Sequence, residues 1–481
     1  MFEKNKFNLS MTIKTFIILV VAGSIIAPQV NVFGATATIT ITSNYLTSNT
    51  FSTGFQLTGE DAWKWQSSST LQSLSENMNA QFVRFFNNLF EPCTQWNEKT
   101  KTGTWDWTEV DSQVEAIFAS GAEPIIVLGF YSWTSKTLQV PNGMTTYSST
   151  GGLPSPDSWA AYCKAWVTHF KQLNLPVKYY EVFNEPCNYW NVYGWPAPQP
   201  WLGYFTKLFN AAAIAMRSAN SNVKIGNDSS NMVAVLNYFI ANGVKIDFFD
   251  YHNYTTGTTS TSDSDLFSSA ETHYLTDSVS YYGTSNALSV YKAATGVYLP
   301  VLITEGNLSY TYSSGTDSRI QKMTGAVYQA LRIKTDIVNN YLTDIYFTFA
   351  SSASAWKSKA THGYGFGMVN TDTSKPWYPY YVQQLIGSNL SIGDKIYDVN
   401  SSISGITGLS WIHNGVKNIL LISKVTSQNT VTIKGVTSQM SYYKLDNSIS
   451  YTAPSVQKGT VSPTSSITFN GYTVMLLQTK V

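Results

Sequence analysis

The chain has 481 residues, enough for one large domain and a smaller one. Its formal net charge is +1, and 12% of its residues are charged, against roughly 25% in ordinary soluble domains. This balance argues against a nucleic-acid partner, which would require a strongly basic surface. A surface with so few carboxylates changes little in charge when they protonate, which favours an acidic working medium.

The N-terminal segment has the pattern of a secretory signal. Three lysines within the first 14 residues precede the apolar stretch from Phe16 to Ala27, and small residues follow at Ala35-Thr36-Ala37. The apolar stretch is shorter than the roughly 20 residues that a membrane span needs, although an uncleaved anchor is the alternative. We therefore expect residues 1–37 to direct export. Any membrane or cell-surface association would use this segment only.

The three cysteines are Cys93, Cys163 and Cys187. An exported protein could form one disulfide from them and would then retain one thiol. Cys93 and Cys187 both follow predicted strands and could meet above a site, and unpaired thiols are the alternative. No pair of cysteines at metal-ligand spacing and no cysteine–histidine cluster occurs, so the sequence predicts no metal.

Residues 54–390 alternate short apolar runs with helical patterns. Apolar residues at helical spacing include Val110, Val114 and Ile117. Continuous apolar runs are typical of parallel strands buried on both faces. Eight such strands fit a (β/α)8 TIM barrel. A doubly wound open sheet is the alternative, without support from a glycine-rich phosphate loop. The strand candidates are Gly54–Gly59, Gln81–Phe86, Pro124–Phe130, Val177–Glu185, Val223–Asn227, Ile246–Tyr254, Pro300–Glu305 and Asp344–Ala350.

The pattern changes after the barrel. Residues 391–481 contain short strand-like runs separated by Asn, Gly and Ser, which predict a C-terminal antiparallel β-sandwich. Residues 38–53 follow an alternating segment and are expected to add an N-terminal strand to this sandwich. A long loop from Tyr131 to Asp157 follows the third predicted strand and should overhang the carboxyl ends of the barrel strands.

Two of the apolar runs end in a glutamate. Residues 179–186 read Tyr-Tyr-Glu-Val-Phe-Asn-Glu-Pro and place Glu185 at one strand end. Residues 300–306 read Pro-Val-Leu-Ile-Thr-Glu-Gly and place Glu305 at another. Side chains at the carboxyl ends of barrel strands meet at one site. A pair of carboxylates there is what the cleavage of a glycosidic bond requires.

These segments resemble the fourth-strand and seventh-strand motifs of the clan A retaining glycoside hydrolases. Further motifs resemble glycoside hydrolase family 39, the β-xylosidase and α-L-iduronidase family. Phe183 stands where that family usually has Trp, and Cys187 stands where an Asn is common. Family 5 is the next closest resemblance. The motifs that carry the family 39 resemblance lie at residues 105–111, 124–129, 247–254 and 375–378.

The resemblance implies a role for each catalytic candidate. Glu185 would be the general acid/base and Glu305 the nucleophile, with no cofactor. Arg84 would neutralise Glu305, because a lone charge in an apolar strand must be paired; a structural salt bridge to Glu181 is the alternative. Glu181 would lie about 13 Å below Glu185 along an extended strand, too deep for chemistry.

Other candidates would contact the sugar. Asn184 would bind the 2-hydroxyl, and His252 and Tyr254, two residues apart on one strand, would face the same way, with the tyrosine against the nucleophile. Aromatic side chains stack against the apolar faces of sugars. The candidates for stacking are Trp133, Trp190, Trp195 and Trp356, of which Trp356 would floor the subsite beside the cut.

The sequence thus predicts an exported retaining glycoside hydrolase that acts on β-linked xylo- or gluco-configured oligo- or polysaccharides. An endo-β-1,4-glucanase or mannanase of family 5 type is the alternative enzyme. A non-catalytic cell-surface carbohydrate-binding protein is the alternative from another class. The presence of Glu185, Glu305, Asn184 and Arg84 together favours an enzyme, because a binding protein has no need of all four.

Overall fold

The computed structural model describes residues 36–132, 137–186, 199–228, 233–277, 286–311, 316–351, 365–450 and 453–481. Almost all of the predicted export segment therefore lies outside the described residues. Within these ranges, no helix combines the length and apolar character needed to cross a membrane.

Eight parallel strands form a closed barrel, which confirms the predicted (β/α)8 fold. In order around the sheet, the fifth strand is followed by the fourth, third, second, first, eighth, seventh and sixth. The ring closes where the backbone N–H of Asp247 donates to the carbonyl of Ile225, at 2.9 Å. The doubly wound alternative is therefore wrong. In chain order the barrel strands are Ser52–Leu57, Phe82–Phe86, Glu123–Leu128, Tyr179–Val182, Lys224–Gly226, Phe249–Thr256, Val301–Ser309 and Thr343–Tyr346.

Helices cover the outside of the barrel, and local sequence sets their ends. The helix Pro156–Gln172 is an example: the Ser155 hydroxyl accepts from the Ser158 N–H, Pro156 occupies the first turn, and Lys171 lies in the last. The helices are Gly59–Ser67, Ser69–Asn77, Thr108–Ala119, Pro156–Gln172, Gln199–Ala219, Val233–Ala241, Asp263–Asp277, Ala287–Thr295, Met323–Val338 and Tyr378–Gly387.

The interior of the barrel is layered. Near the amino ends of the strands, Phe82, Ile125, Leu302 and Ile345 form an apolar cluster. Two residues further along the second strand, toward the carboxyl end of the barrel, polar side chains replace them, beginning with the fully buried Arg84. The apolar layer fills the amino end of the barrel interior, so the side chains that could take part in a reaction lie at the carboxyl end.

The second unit is one curled sheet of nine strands, mostly antiparallel, as predicted for the C-terminal β-sandwich. Its opposite ends meet in a shared apolar cluster that includes Val431, Phe469 and Met475, which shows that the sheet folds over itself. In sheet order its strands are Gln457–Val461, Met440–Asp446, Thr473–Lys480, Val416–Ser423, Ile406–His413, Lys395–Ser401, Thr36–Ser48, Gln428–Lys434 and Ser466–Asn470.

The sandwich packs directly on the barrel. The N-terminal strand Thr36–Ser48 lies inside the sheet, antiparallel to Lys395–Ser401 and parallel to Gln428–Lys434. Trp411 and Leu420 share an apolar cluster with barrel-helix residues such as Leu331. The first and last described strands thus belong to the same unit, which contacts the barrel through an apolar interface.

The long loop after the third strand carries its own short elements, and its described part packs down through the buried Leu138 and Leu153. Cys93 and Cys163 are buried free thiols, and Cys187 lies outside the described residues. The remaining short elements are strands Cys93–Asn97, Thr102–Trp105, Tyr131–Ser132, Thr137–Leu138, Thr146–Tyr147, Leu153–Pro154, Ala350–Ser351, Val369–Asn370 and Lys375–Pro376, and 3₁₀ turns Asn87–Leu89, Ser148–Thr150 and Ser318–Gln321.

Candidate active site

The carboxyl end of the barrel brings Glu185 and Glu305 together. One carboxylate oxygen from each, together with a ring nitrogen of His252, forms a group in which all the atoms lie within 4.8 Å of one another. The two side chains differ in exposure: that of Glu185 is 28% exposed and that of Glu305 is 8% exposed. The pair is therefore close but asymmetric in its surroundings.

The backbone of the fourth strand turns sharply before Glu185. The strand ends at Val182, and both Phe183 (φ 80°) and Glu185 (φ 46°) have left-handed backbone conformations. Such a conformation is unusual for residues other than glycine, above all for a bulky one. The extended strand through Glu185, on which the expected 13 Å spacing from Glu181 depended, is therefore absent here, because the strand stops at Val182.

The seventh strand places Glu305 with a β-bulge. Its register against the sixth strand shifts between the pairs Tyr251–Ile303 and His252–Glu305, so Thr304 is an extra residue on the seventh strand. A bulge of this kind redirects the following side chain. The residue after Glu305 is Gly306. Only glycine fits there, because a Cβ would lie 2.4 Å from a carboxylate oxygen of the buried Asp344.

Three side chains surround the Glu305 carboxylate. Arg84 Nη1 donates to Oε1 at 2.7 Å, and the Tyr254 hydroxyl donates to Oε2 at 2.9 Å. His252 Nδ1 lies 3.3 Å from Oε2. Burial and the charge of Glu305 raise the pKa of Tyr254 well above its usual value, so the phenol keeps its proton and remains a donor. This environment stabilises an anion.

Arg84 joins the polar residues of several strands. Besides Glu305 it donates to Glu181 at 2.7 Å, to Gln56 at 2.5 Å and to Asn184 Oδ1 at 3.0 Å. Burial alone would lower the pKa of Arg84, but the charges of Glu181 and Glu305 outweigh it and raise the pKa. Arg84 thus pairs with both Glu305 and Glu181, the two partners that the sequence suggested. Glu181 is buried and accepts from Arg84 Nε, which holds the guanidinium in place.

His252 lies between the two glutamates. Its Nδ1 is 2.8 Å from Glu185 Oε1, and its Nε2 is 3.0 Å from Oδ1 of Asp228. Burial would lower the pKa of His252, but the negative charges of Asp228 and Glu305 raise it well above its usual value. The imidazole thus lies within 3.3 Å of three carboxylates, which favour its protonated form.

Sequence reasoning missed Asp228 and Gln56. Asp228 is the second residue after the fifth strand and is 3% exposed, and its Oδ2 accepts from the backbone N–H of Glu185 at 2.6 Å. Gln56 is buried in the first strand. The same signal that marked the glutamates, a polar residue at the end of an apolar run, also marks Asp228. Gln56 is a polar residue inside such a run and could have been noticed as needing a partner.

The sugar-stacking candidates Trp133, Trp190, Trp195 and Trp356 all lie outside the described residues. Glu185, His252 and Glu305 together offer three possible ligand atoms, but the Arg84 guanidinium already neutralises Glu305 and the Tyr254 hydroxyl donates to it. The arrangement instead suits two carboxylates that work with protons.

Solved structures share this architecture. A GH39 β-xylosidase from Caulobacter crescentus has a TM-score of 0.63 and 15% identity, covering 93% of this chain and 100% of its own. A GH51 α-L-arabinofuranosidase from Thermotoga petrophila gives 0.61 and 10%, with 92% and 99% covered. A GH30 xylanase from Clostridium acetobutylicum gives 0.56 and 16%, with 92% and 99% covered.

These likenesses establish the fold, and with the paired carboxylates they point to the class of glycoside hydrolases. A family model makes this specific: residues 36–422, about four fifths of the chain, match the model described as Glycosyl hydrolases family 39. The chain belongs to this family and is a glycosidase. A search of curated proteins gave no match.

Proposed function

We propose that the protein is a retaining glycosidase that acts by double displacement on β-linked xylo- or gluco-configured saccharides. Glu305 is the nucleophile and Glu185 the general acid/base. The observation that carries the proposal is the approach of the two carboxylates, whose oxygens lie within 4.8 Å of each other. Retaining enzymes separate their carboxyl groups by roughly 5–5.5 Å, whereas inverting enzymes need about 6.5–9.5 Å to admit a water.

The asymmetry of the pair supports the division of roles. Glu305 is nearly enclosed and receives hydrogen bonds from Arg84 and Tyr254, so it is suited to remain an anion and attack. Glu185 is more exposed, so it is suited to exchange protons with a leaving group and with water.

In the first step, a Glu305 oxygen bonds to the anomeric carbon while the glycosidic bond breaks and the leaving oxygen takes the proton of Glu185. In the second step, Glu185 removes a proton from water, the water oxygen attacks the anomeric carbon, and Glu305 is released. These steps use side chains of the chain alone. Asn184, held by Arg84 through its Oδ1, lies beside the acid and is proposed to contact the 2-hydroxyl.

The substrate class rests on the family and on the neighbours. The family 39 relative from Caulobacter crescentus is a β-xylosidase, and the GH30 relative is a xylanase. We therefore place xylo-configured substrates first and gluco-configured substrates second. The match to family 39 favours this over the family 5 alternative. The signal-like residues 1–37 support export, with saccharide outside the cell as substrate.

A panel of aryl β-glycosides tests the function. Aryl β-xyloside should be hydrolysed fastest, and proton NMR in the opening minutes should show the β-anomer of the free sugar first. Release of the α-anomer first would mean inversion and would remove the nucleophile role from Glu305. Failure of every β-glycoside in the panel would refute the proposed substrate class.

A further inference from the structure

We propose that Asp228 is a positioning residue. Its carboxylate keeps His252 in the imidazolium form and holds the Glu185 backbone, so that the acid proton of Glu185 stays on Oε2, away from His252. This inference rests on the proposed role of Glu185 as the acid/base and adds a residue to the machinery of that reaction.

Asp228 is tied to its place from two sides. It is the second residue after the fifth strand and has φ 51°. The buried Asp250 of the sixth strand accepts from the backbone N–H groups of Asn227, at 3.2 Å, and Asp228, at 2.8 Å. A turn that is fixed by a second buried carboxylate presents the Asp228 side chain in one orientation.

The two oxygens of Asp228 have separate partners. Oδ2 accepts from the backbone N–H of Glu185, which stabilises the left-handed conformation of that residue. Oδ1 lies 3.0 Å from Nε2 of His252. One carboxylate thus contacts both the backbone of the acid and the imidazole beside its side chain.

The protonation of His252 decides where the acid proton of Glu185 lies. A neutral imidazole whose Nε2–H faces Asp228 has only a lone pair at Nδ1. That lone pair would attract the Glu185 proton to Oε1, 2.8 Å away, and withdraw it from a leaving group. An imidazolium instead donates from Nδ1 to Oε1, so the acid proton must occupy Oε2. A negative charge at Nε2 favours the imidazolium.

Other charges also act on this pair. Burial raises the pKa of Asp228, and the charges of His252 and Arg84 oppose that shift. The groups that surround Asp228 and His252 come from five strands or the turns that follow them: Arg84 from the second, Glu181 and Glu185 from the fourth, Asp228 itself after the fifth, Asp250 and Tyr254 from the sixth, and Glu305 from the seventh.

The variant Asp228→Asn removes the charge and leaves one oxygen for two donors. His252 should then lose its proton at lower pH, and the basic limb of kcat/KM should move down by at least about one pH unit. At neutral pH, an alkyl β-xyloside should lose about 100-fold in kcat/KM, the lower end of what general acids contribute. A dinitrophenyl β-xyloside, which needs little protonation, should lose less than about 10-fold.

The matched control is Asp247→Asn. Asp247 also ties the fifth strand to the sixth, accepting from Ile225 N–H at 2.9 Å and Arg217 at 2.8 Å, but at the opposite end of the barrel. This variant should leave the basic limb in place. An equal loss for Asp228→Asn at every pH and with both leaving groups would indicate a merely structural role and overturn the proposal.

A direct readout does not depend on activity. The chain has five histidines, so ¹⁵N-histidine NMR of the wild type can be assigned by losing one signal in His252→Asn. His252 should be doubly protonated at pH 7 in the wild type and neutral in Asp228→Asn. A neutral His252 in the wild type at pH 7 would overturn the inference, even if the protein hydrolysed no glycoside in the panel.

Discussion

Glu91 provides a stability prediction that can be worked from the structure. It lies in the turn after the second barrel strand, partly buried, where Tyr162 Oη donates to it at 2.7 Å and the backbone N–H of Cys93 at 2.9 Å. Burial raises the pKa of Glu91 from 4.5 to about 7, although these hydrogen bonds oppose the shift. The charged form is therefore disfavoured in the folded protein.

The direction in which stability changes with pH follows from the linkage between protonation and folding. The folded state holds a proton on Glu91 between pH 4.5 and about 7, where the unfolded state does not. The stabilisation is fully present below pH 4.5 and is lost as the pH rises to about 7. A shift of this size corresponds to about 3 kcal/mol in the free energy of unfolding.

The variant Glu91→Gln should therefore exceed the stability of the wild type by about 1 kcal/mol at pH 5 and by up to about 3 kcal/mol at pH 8. Urea unfolding followed by tryptophan fluorescence at both pH values is the assay. A melting temperature is less sensitive, because a chain of this length shifts by only about 1 °C per kcal/mol. Glu98→Gln is the control, because Glu98 has a lowered pKa and should leave the difference between pH 5 and pH 8 unchanged. A Glu91→Gln protein that is less stable than the wild type at pH 8 would refute the reasoning.

The remaining predictions concern the reaction and the second unit. Glu305→Ala should abolish turnover, and azide should restore it with the α-glycosyl azide as product. Glu185→Ala should retain glycosylation with activated aryl glycosides, lose about 10²–10⁴-fold with unactivated ones, and give the β-azide, because azide then attacks the intermediate on Glu305. The reverse pairing of azide products would exchange the two roles. The kcat/KM profile should be a bell with its maximum below pH 7, and a maximum above neutrality would contradict the acidic medium inferred from the low charge content. Residues 391–481 expressed alone should fold poorly and pass through a polysaccharide affinity gel, since the sandwich needs strand Thr36–Ser48 and the barrel; retention on the gel would show an independent binding module.

The barrel could be predicted because its strands are buried on both faces and appear as continuous apolar runs. Each of the eight predicted segments overlaps a barrel strand, and the errors are in the ends, as for Val177–Glu185, where the strand stops at Val182. The strands of the sandwich were harder to predict. In its strand Lys395–Ser401, for example, only Ile396 and Val399 are buried, and most of the other residues are polar, so the pattern is weak.

The site was predictable only in part, for a physical reason. Glu185 lies three residues after the fourth strand and Glu305 lies within the seventh, so their meeting at the carboxyl end is a consequence of barrel geometry. The bulge at Thr304 and the left-handed turn at Asp228 arise from pairing between strands that are distant in sequence. No local sequence pattern indicates them. The role of Gln56 likewise becomes clear only when the first and second strands pair and bring Arg84 beside it.

The strain in the fourth-strand turn shows how the barrel supports the site. Left-handed conformations at non-glycine residues cost of order 1–3 kcal/mol each and persist only where their surroundings determine them. Phe183 is held by its buried ring, which packs against Trp159 and Phe205 of two covering helices. Glu185 is held by the hydrogen bond from its N–H to Asp228. With Phe183 facing outward into the helices, the turn directs Asn184 to Arg84 and Glu185 to His252, so apolar packing outside the barrel positions the acid inside it.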